Sequence, residues 1–367
     1  MSALSKAQRS TVAAVALLTL LAGVAKYAGW PSLLAFVLAA LALGGLAHMV
    51  SFSTEHVGQR FGPGVTGVLQ SSLGNLPELF VVLFALHAGE VVVAQASIVG
   101  SLFANAMLVL GLVIVVGAAQ SDEPIMRFRP RLPQDTATLM LVTVFIIVVV
   151  GQSLSSHDAA SHHVTAISAV AAVALLIVYL AWLVPYLRHD AAQAASPGAA
   201  APDPAVADPP AARSRTVPLA VSVTLLMLGG AGAAFVSDWF VAALRPTIDQ
   251  LGISDAFAGI VIVAIAGNAV ENVAGIVLAS KGQADLAISV VKNSVAQIAA
   301  FLFPVLVLVS LLFTHHLTFA LDPVYTGALL VSALAVWQIT GDGKAAAFEG
   351  YALVALYVTL AAVTWFE

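Results

Sequence analysis

The sequence predicts an all-α polytopic membrane protein of eleven transmembrane helices that contains an inverted repeat. Three observations carry this prediction: eleven apolar segments of membrane-spanning length, a one-sided distribution of Lys and Arg between them, and a gapless internal repeat of polar residues.

Of the 367 residues, 60% are hydrophobic and 9% charged, against roughly 45–50% and about 25% in an average soluble domain. Such a chain cannot cover a water-facing surface. Its apolar segments lie near 11–27, 32–50, 64–88, 91–119, 135–153, 163–187, 217–242, 256–280, 285–314, 318–340 and 346–366, and about 20 apolar residues make a helix that crosses a hydrocarbon core of roughly 30 Å. Lys6 and Arg9 ahead of the first segment give it the look of a signal peptide, but no small-residue cleavage site stands out and a second apolar run follows at once, so it reads as a retained span. The stretch from Asp190 to Arg215, with Ser196-Pro197-Gly198 and Pro202-Asp203-Pro204, is too rich in Ala and Pro to span or pack and reads as a flexible linker between two halves. There are no cysteines, which excludes disulfides, zinc-thiolate sites and thiol catalysis. A net charge of -5 implies no nucleic-acid partner; the partner is the lipid bilayer.

Short cytoplasmic loops collect Lys and Arg. With the N-terminus inside, the cytoplasmic segments hold Lys6, Arg9, Arg60, Arg127, Arg129, Arg131, Arg188, Arg213, Arg215, Lys281 and Lys344, while the opposite side holds Lys26 and Arg245, and Lys292 lies within a span. The expected topology is N-inside and C-outside.

Shifting the sequence by 193 positions superposes Gly74 on Gly267, Asn75 on Asn268, Glu78 on Glu271, Gly89 on Gly282 and Ser101 on Ser294. Chance matches in such a chain would be Ala, Val and Leu; these are polar residues and glycines inside apolar spans. The copies fall in the third and eighth spans, an odd number apart, so they enter the membrane from opposite sides. Inverted repeats of this kind place a transport site near the midplane between two half-sites.

An ionised carboxylate at membrane depth costs about 2.5–3.5 kcal/mol on insertion scales, so it must be paired, protonated or cation-bound. Glu78 and Glu271 are such residues, and each follows an Asn by three positions, on one helix face. The Gly before each Asn weakens the helix and Pro77 removes a backbone donor, freeing carbonyl oxygens. Carboxylates with carbonyls form a hard-oxygen site suited to calcium, and sodium would also be accommodated. The following spans add Gln95, Ser97, Ser101 and Asn105 in the first half, and Asn293, Ser294 and Gln297 in the second. Ser97 and Asn105 are as readily packing groups. Glu78 and Glu271 are therefore the expected metal ligands, with Asn75 and Asn268 one turn away, and the repeat favours Ser101 and Ser294, with Gln297 on the same helical face as Ser294.

The stretches Gly74-Asn75-Leu76-Pro77-Glu78 and Gln95-Ala96-Ser97-Ile98-Val99-Gly100-Ser101 with Asn105, and Gly267-Asn268-Ala269-Val270-Glu271 with Ser294 and Gln297, resemble the two α-repeats of the cation/proton exchangers within the calcium/cation antiporter superfamily. Thr54-Glu55 and Arg60, ahead of Gly64 and Gly67, are similar to that family as well. The resemblance is specific across 54–111 and 257–304. It implies one N-terminal helix (1–31) outside two inverted five-helix halves (32–188 and 217–367) joined by the linker 189–216. It also implies export of cytosolic calcium in exchange for protons, with Glu78 and Glu271 as ion ligands and proton carriers and with Asn75, Asn268, Gln95, Ser101, Ser294 and Gln297 around them on the motif backbone of Gly74 and Gly267. Two departures bear on selectivity: Asn272 follows Glu271 where family members often carry His, and Lys292-Asn293 precede Ser294 where they often carry a Gly-Ser pair. The linker, acidic in many relatives, has few carboxylates here.

Lys292, whose repeat mate is Val99, faces away from Ser294 on a regular helix and is expected to snorkel to the cytoplasmic edge near Asp285; the alternative is an ammonium standing in for a bound cation. His157, His162, His163, His315 and His316 fall in expected external loops and are assigned no role. Sodium/calcium exchange on the same fold, or a passive cation channel, are the competing functions. No Ser/Lys pair or His-Glu-x-x-His motif suggests an enzyme, and no cofactor is expected beyond the transported ions. A prokaryotic inner membrane is the expected location, and the sequence leaves a homo-oligomer open.

Overall fold

Peptide groups in hydrocarbon have no water to bond, so long apolar runs close their hydrogen bonds internally as helices. A computed structural model describes residues 5–58, 73–121, 123–129, 131–195 and 218–367, with a few side chains inside these ranges, that of Glu271 among them, outside the description. Its helices are α1 (Lys6–Tyr27), α2 (Ser32–Gly58), α3 (Leu76–His87), α4 (Val91–Ala118), α5 (Arg131–Ser156), α6 (Val164–Ala195) and α7 (Leu219–Leu251). The broken α8 (Asp255–Gly267 and Ala269–Ser280), α9 (Ala284–Ser310), α10 (Pro323–Thr340) and α11 (Ala347–Trp365) follow. Among the described residues nine of these are long and apolar enough to cross a membrane, and α8 makes a tenth if its two halves, bent by 58°, count as one span. The expected third span, 64–88, is described only over 73–88, where α3 supplies the twelve residues 76–87. Arg60, Gly64, Gly67 and most of the expected linker lie outside the described residues; α6 runs on through Ala195, so its last seven residues, 189–195, occupy the expected start of that linker.

The internal repeat is visible in the backbone. The chain is helical at 73–74, turns at Asn75 and resumes as α3; 193 residues on it is helical through Gly267, turns at Asn268 and resumes over Ala269–Ser280. Both resumed helices end ahead of a glycine in left-handed backbone, Gly89 at φ +83° and Gly282 at φ +73°, a conformation a side chain would oppose. The helices that follow both loosen into π-helical turns, Ala104–Val109 in α4 and Ile298–Leu302 in α9, again one repeat apart.

Helices without a hydrophobic drive between them associate through small residues that let backbones approach. A Cβ on Gly100 of α4 would lie 2.4 Å from the Ile260 Cα, and one on Gly259 of α8 would lie 2.5 Å from the Ala96 Cβ. Gly111 and Gly350 bring α4 and α11 together in the same way, since a Cβ on either would lie 2.6 Å from the other's carbonyl oxygen. Helices α2 and α7, mates under the repeat, pack through Gly229 against Val50 and Gly232 against Leu46, with Phe36 stacked on Phe240 at 4.7 Å.

Loops that the eleven-span reading puts on one side do meet. Strands β1 (Ile125–Arg127) and β2 (Lys344–Ala346) form an antiparallel ribbon joining the α4–α5 and α10–α11 connections, and Arg129 lies 3.9 Å from Asp285. On the opposite face Arg245 pairs with Asp255 at 3.0 Å and Glu90 at 3.7 Å, and Ser32 donates to Gln250. The ribbon has no counterpart in the expected all-helical reading; two three-residue segments are too short to show a strand pattern.

The α4–α8 contact gives a stability prediction. Gly259→Val drives a side chain into the α4 backbone and should cost about 1–3 kcal/mol or more, read as a lower melting temperature in detergent, whereas Gly327→Ala, where a Cβ meets nothing within 4 Å, should leave it unchanged.

Candidate functional site

Each half-site begins with the helix break. Asn75 (φ −89°, ψ 11°) and Asn268 (φ −106°, ψ 15°) cap the resumed helices, which puts Glu78 and Glu271 at the third helical position. The first turn of a helix presents unpaired N–H groups and the positive end of the peptide dipoles, so a carboxylate there is held more cheaply than in mid-helix. Glu78 is 4% exposed. It lines a small cavity of about 10 Å³ together with Pro77, Ser97, Ser101, Gly267 and the apolar Leu43, Val81, Phe240, Val263 and Ala266. That volume matches about one water-sized sphere.

The repeats cross over at this cavity. Asn268 of the second repeat donates through Nδ2 to the Ser101 Oγ of the first at 2.8 Å and to the Ala264 carbonyl at 3.0 Å, leaving its Oδ1 for another partner. Ser97 donates to the Ala94 carbonyl and Asn105 to the Ser101 carbonyl, both buried. In the second half Ser294 is buried, its hydroxyl oxygen without a hydrogen-bond partner, as are Asn105 Oδ1 and Asn272 Oδ1. Gln297 is half-buried at the end of the regular part of α9, just before the π-helical turn. Gly74 is buried at the entrance to the first break.

Two residues depart from expectation. Gln95 stands apart from the Glu78 cavity: its amide donates to the Thr318 and Ala320 carbonyls at 3.1 and 2.6 Å and borders a different cavity, of about 360 Å³, with Asp255, Asp322, Tyr325 and Glu367. Six residues before Ser101, it lies on another face of α4. Lys292 does not snorkel. It is 4% exposed, its Nζ donates to the Thr340 Oγ1 of α10 at 2.6 Å, and it borders an apolar pocket with Ala106, Leu110, Met140 and Val336. Asp285, expected near it, instead accepts from the Arg129 backbone N–H at 2.6 Å. Leu43 and Phe240, which wall the cavity, carry no signal in sequence, because an apolar residue in α2 or α7 looks the same facing lipid or facing the site. Asn272 was legible only as a departure from a resembled pattern.

Among the described residues no cluster of three or more His, Asp or Glu side chains could hold a metal. The described oxygen-bearing groups at the Glu78 cavity are that carboxylate and the Ser97 and Ser101 hydroxyls.

The architecture and sequence match known proteins. At 30% identity over 351 residues the chain is similar to the Ca(2+)/H(+) antiporter of Synechocystis, covering 94% of both. It is 30% identical over 331 residues to the vacuolar calcium ion transporter of Schizosaccharomyces pombe, covering 89% of this chain and 78% of that one. Its structure superposes on that of native YfkE with a TM-score of 0.79 at 25% identity, over 97% of this chain and all of the other. The H+/Ca2+ exchanger CAX gives 0.70 at 16% identity, over 96% of this chain and 88% of that one, a likeness of fold alone. The sequence profile of the sodium/calcium exchanger protein family matches residues 31–185 and 221–366 and skips the segment expected as the linker. With both halves of the chain matched, the protein belongs to the sodium/calcium exchanger family.

Proposed function

We propose that this membrane protein is a secondary antiporter that exports cytosolic calcium in exchange for protons through a midplane site built on Glu78 and Glu271. The observation that carries the reading is the buried Glu78 at the N-terminus of a half-helix, lining a cavity of one-ion size, with Glu271 at the matching backbone position of the other repeat. The near-full-length likeness to a Ca(2+)/H(+) antiporter supports the choice of ions.

Two carboxylates in a low-dielectric site carry a charge of -2, which one calcium ion or two protons cancel. Desolvation and mutual repulsion favour protonation of such a pair and a divalent cation favours ionisation, so the two substrates exclude each other. A carrier that crosses with either but not with bare carboxylates, whose exposure costs about 2.5–3.5 kcal/mol each, is an exchanger. Hydroxyl and amide oxygens from Ser101, Ser294, Asn75 and Asn268 complete a hard-oxygen shell. Gln95, tied to the α9–α10 connection, takes no part in it. The N-terminus is cytoplasmic and the membrane is the prokaryotic plasma membrane in this reading, which the Lys and Arg distribution supports.

Exchange of sodium for calcium is the second reading, favoured by the family's own description and by a fold likeness to the sodium-calcium exchanger NCX_Mj, at a TM-score of 0.55. Calcium-45 uptake into everted vesicles separates them. An imposed proton gradient should drive uptake and a sodium gradient should not, and Glu78→Gln and Glu271→Gln should each reduce uptake to background while the protein still inserts. Uptake retained in Glu271→Gln would sink the paired-carboxylate site. Because calcium must displace protons, its apparent affinity should fall with falling pH, by about tenfold per pH unit for each proton displaced. Lys292→Met should leave the calcium dependence unchanged, since that side chain borders a different pocket from Glu78.

A further inference from the structure

The two half-sites share a sequence pattern and a backbone, yet they do not make the same hydrogen bonds. Asn268 is bridged to Ser101 across the two repeats at 2.8 Å, and both residues are buried. The 193-residue shift converts that pair into Asn75 and Ser294. There the bridge is open, since the enclosed Ser294 hydroxyl oxygen has no hydrogen-bond partner. The breaks themselves do not differ: both asparagines hold the same backbone conformation, and their carbonyls accept from Leu79 and Asn272, four residues on, at 2.9 and 3.0 Å. The asymmetry therefore lies in how the half-helices of one repeat are set against those of the other.

A single rigid arrangement of two equivalent halves gives no reason to satisfy one bridge and orphan its mate. Two alternating arrangements do, because exchanging the conformations of inverted repeats turns a site open to one face into a site open to the other.

We propose that the Asn268–Ser101 and Asn75–Ser294 bridges are made alternately, and that the two asparagines are positioning residues that set which face the site opens to. In the arrangement seen here α8 is fastened to α4. In the opposite one that bridge parts and α3 is fastened to α9. Each arrangement satisfies one bridge and leaves one buried hydroxyl unpaired, so the pair of latches adds little to the difference between the two states. A carrier that must cycle in both directions needs states of similar free energy. Ser101 also lines the cavity beside Glu78, so the latch forms part of the wall of the proposed ion site. The proposal rests on the carrier reading above but not on which ions are exchanged.

The chain has no cysteine of its own, which makes sidedness measurable. A single cysteine at Ala266, a cavity-lining position, is labelled with a membrane-impermeant thiol reagent in right-side-out and in everted vesicles, and the ratio of the two rates reads the equilibrium. Asn268→Ala should shift this ratio by about tenfold, the change that one net hydrogen bond makes in a two-state equilibrium. Asn75→Ala should shift it the opposite way, and the double variant should return it near the parent value. Ser101→Ala and Ser294→Ala, which remove one atom each and spare the helix breaks, should repeat the two opposed shifts. Shifts in the same direction, or a ratio unmoved by all four substitutions, would overturn the latch while leaving the carrier reading intact. Uncoupled ion current through the parent, with the cysteine labelled from both faces while that current flows, would overturn the carrier reading and the latch with it.

Discussion

Placing a carboxylate inside a bilayer is the constraint from which the rest of this structure follows. Water is absent, so the charge must be met by hydrogen-bond donors, dipoles or an ion. The chain meets it by breaking a membrane helix at an asparagine and restarting it with the glutamate in the first turn, where peptide N–H groups point outward unpaired. Gly74 and Gly267 precede the breaks and Pro77 enters the restarted helix at a position whose N–H has no intrahelical partner to lose. Glu78 is thereby buried without being placed in the middle of a helix. The freed backbone groups of a broken helix cannot be left to lipid; α3 packs against α7, and the second half of α8 packs against α4 and α9, with Val273 and Val277 exposed on its outer side.

Covering them requires close packing by a chain with little hydrophobic drive between its helices. Gly100 and Gly259 let α4 and α8 meet backbone to backbone, and Gly229 and Gly232 of α7 make room for the Val50 and Leu46 side chains of α2. The π-helical turns in α4, α8 and α9 sit next to the site residues. Such turns leave carbonyls short of partners, and hydroxyls on the surrounding helices reach two of them: Thr143 of α5 donates to Ala299 at 3.3 Å and Tyr357 of α11 to Ile260 at 3.4 Å. The outer helices thus hold the shape of the inner ones as well as screening them from lipid.

Much of this was legible in the residues. The span positions follow from hydropathy, and the two helix breaks follow from the Gly-Asn motif, whose repetition at a fixed shift also foretold that the halves would cross over at one site. Asn268 meeting Ser101 is that crossing. The side chains that went astray did so for a common reason. Gln95 and Lys292 are long, and which neighbour a long side chain reaches depends on the helices packed around it. Gln95 found two free carbonyls in the α9–α10 connection and Lys292 a hydroxyl at the end of α10, partners more than forty residues away that no spacing rule connects.

The sequence by itself determined that the chain crosses a membrane many times, that it carries two inverted copies of one polar motif, and that each copy offers a glutamate at a weakened helix turn. These properties are periodic or compositional, and they belong to single helices. Only the tertiary structure decided which apolar residues wall the cavity, that Lys292 is buried against Thr340, and that of two equivalent Asn–Ser pairs one is joined and the other is not. Those outcomes depend on how one repeat is displaced against the other, and two halves with the same local preferences leave that displacement free until they pack.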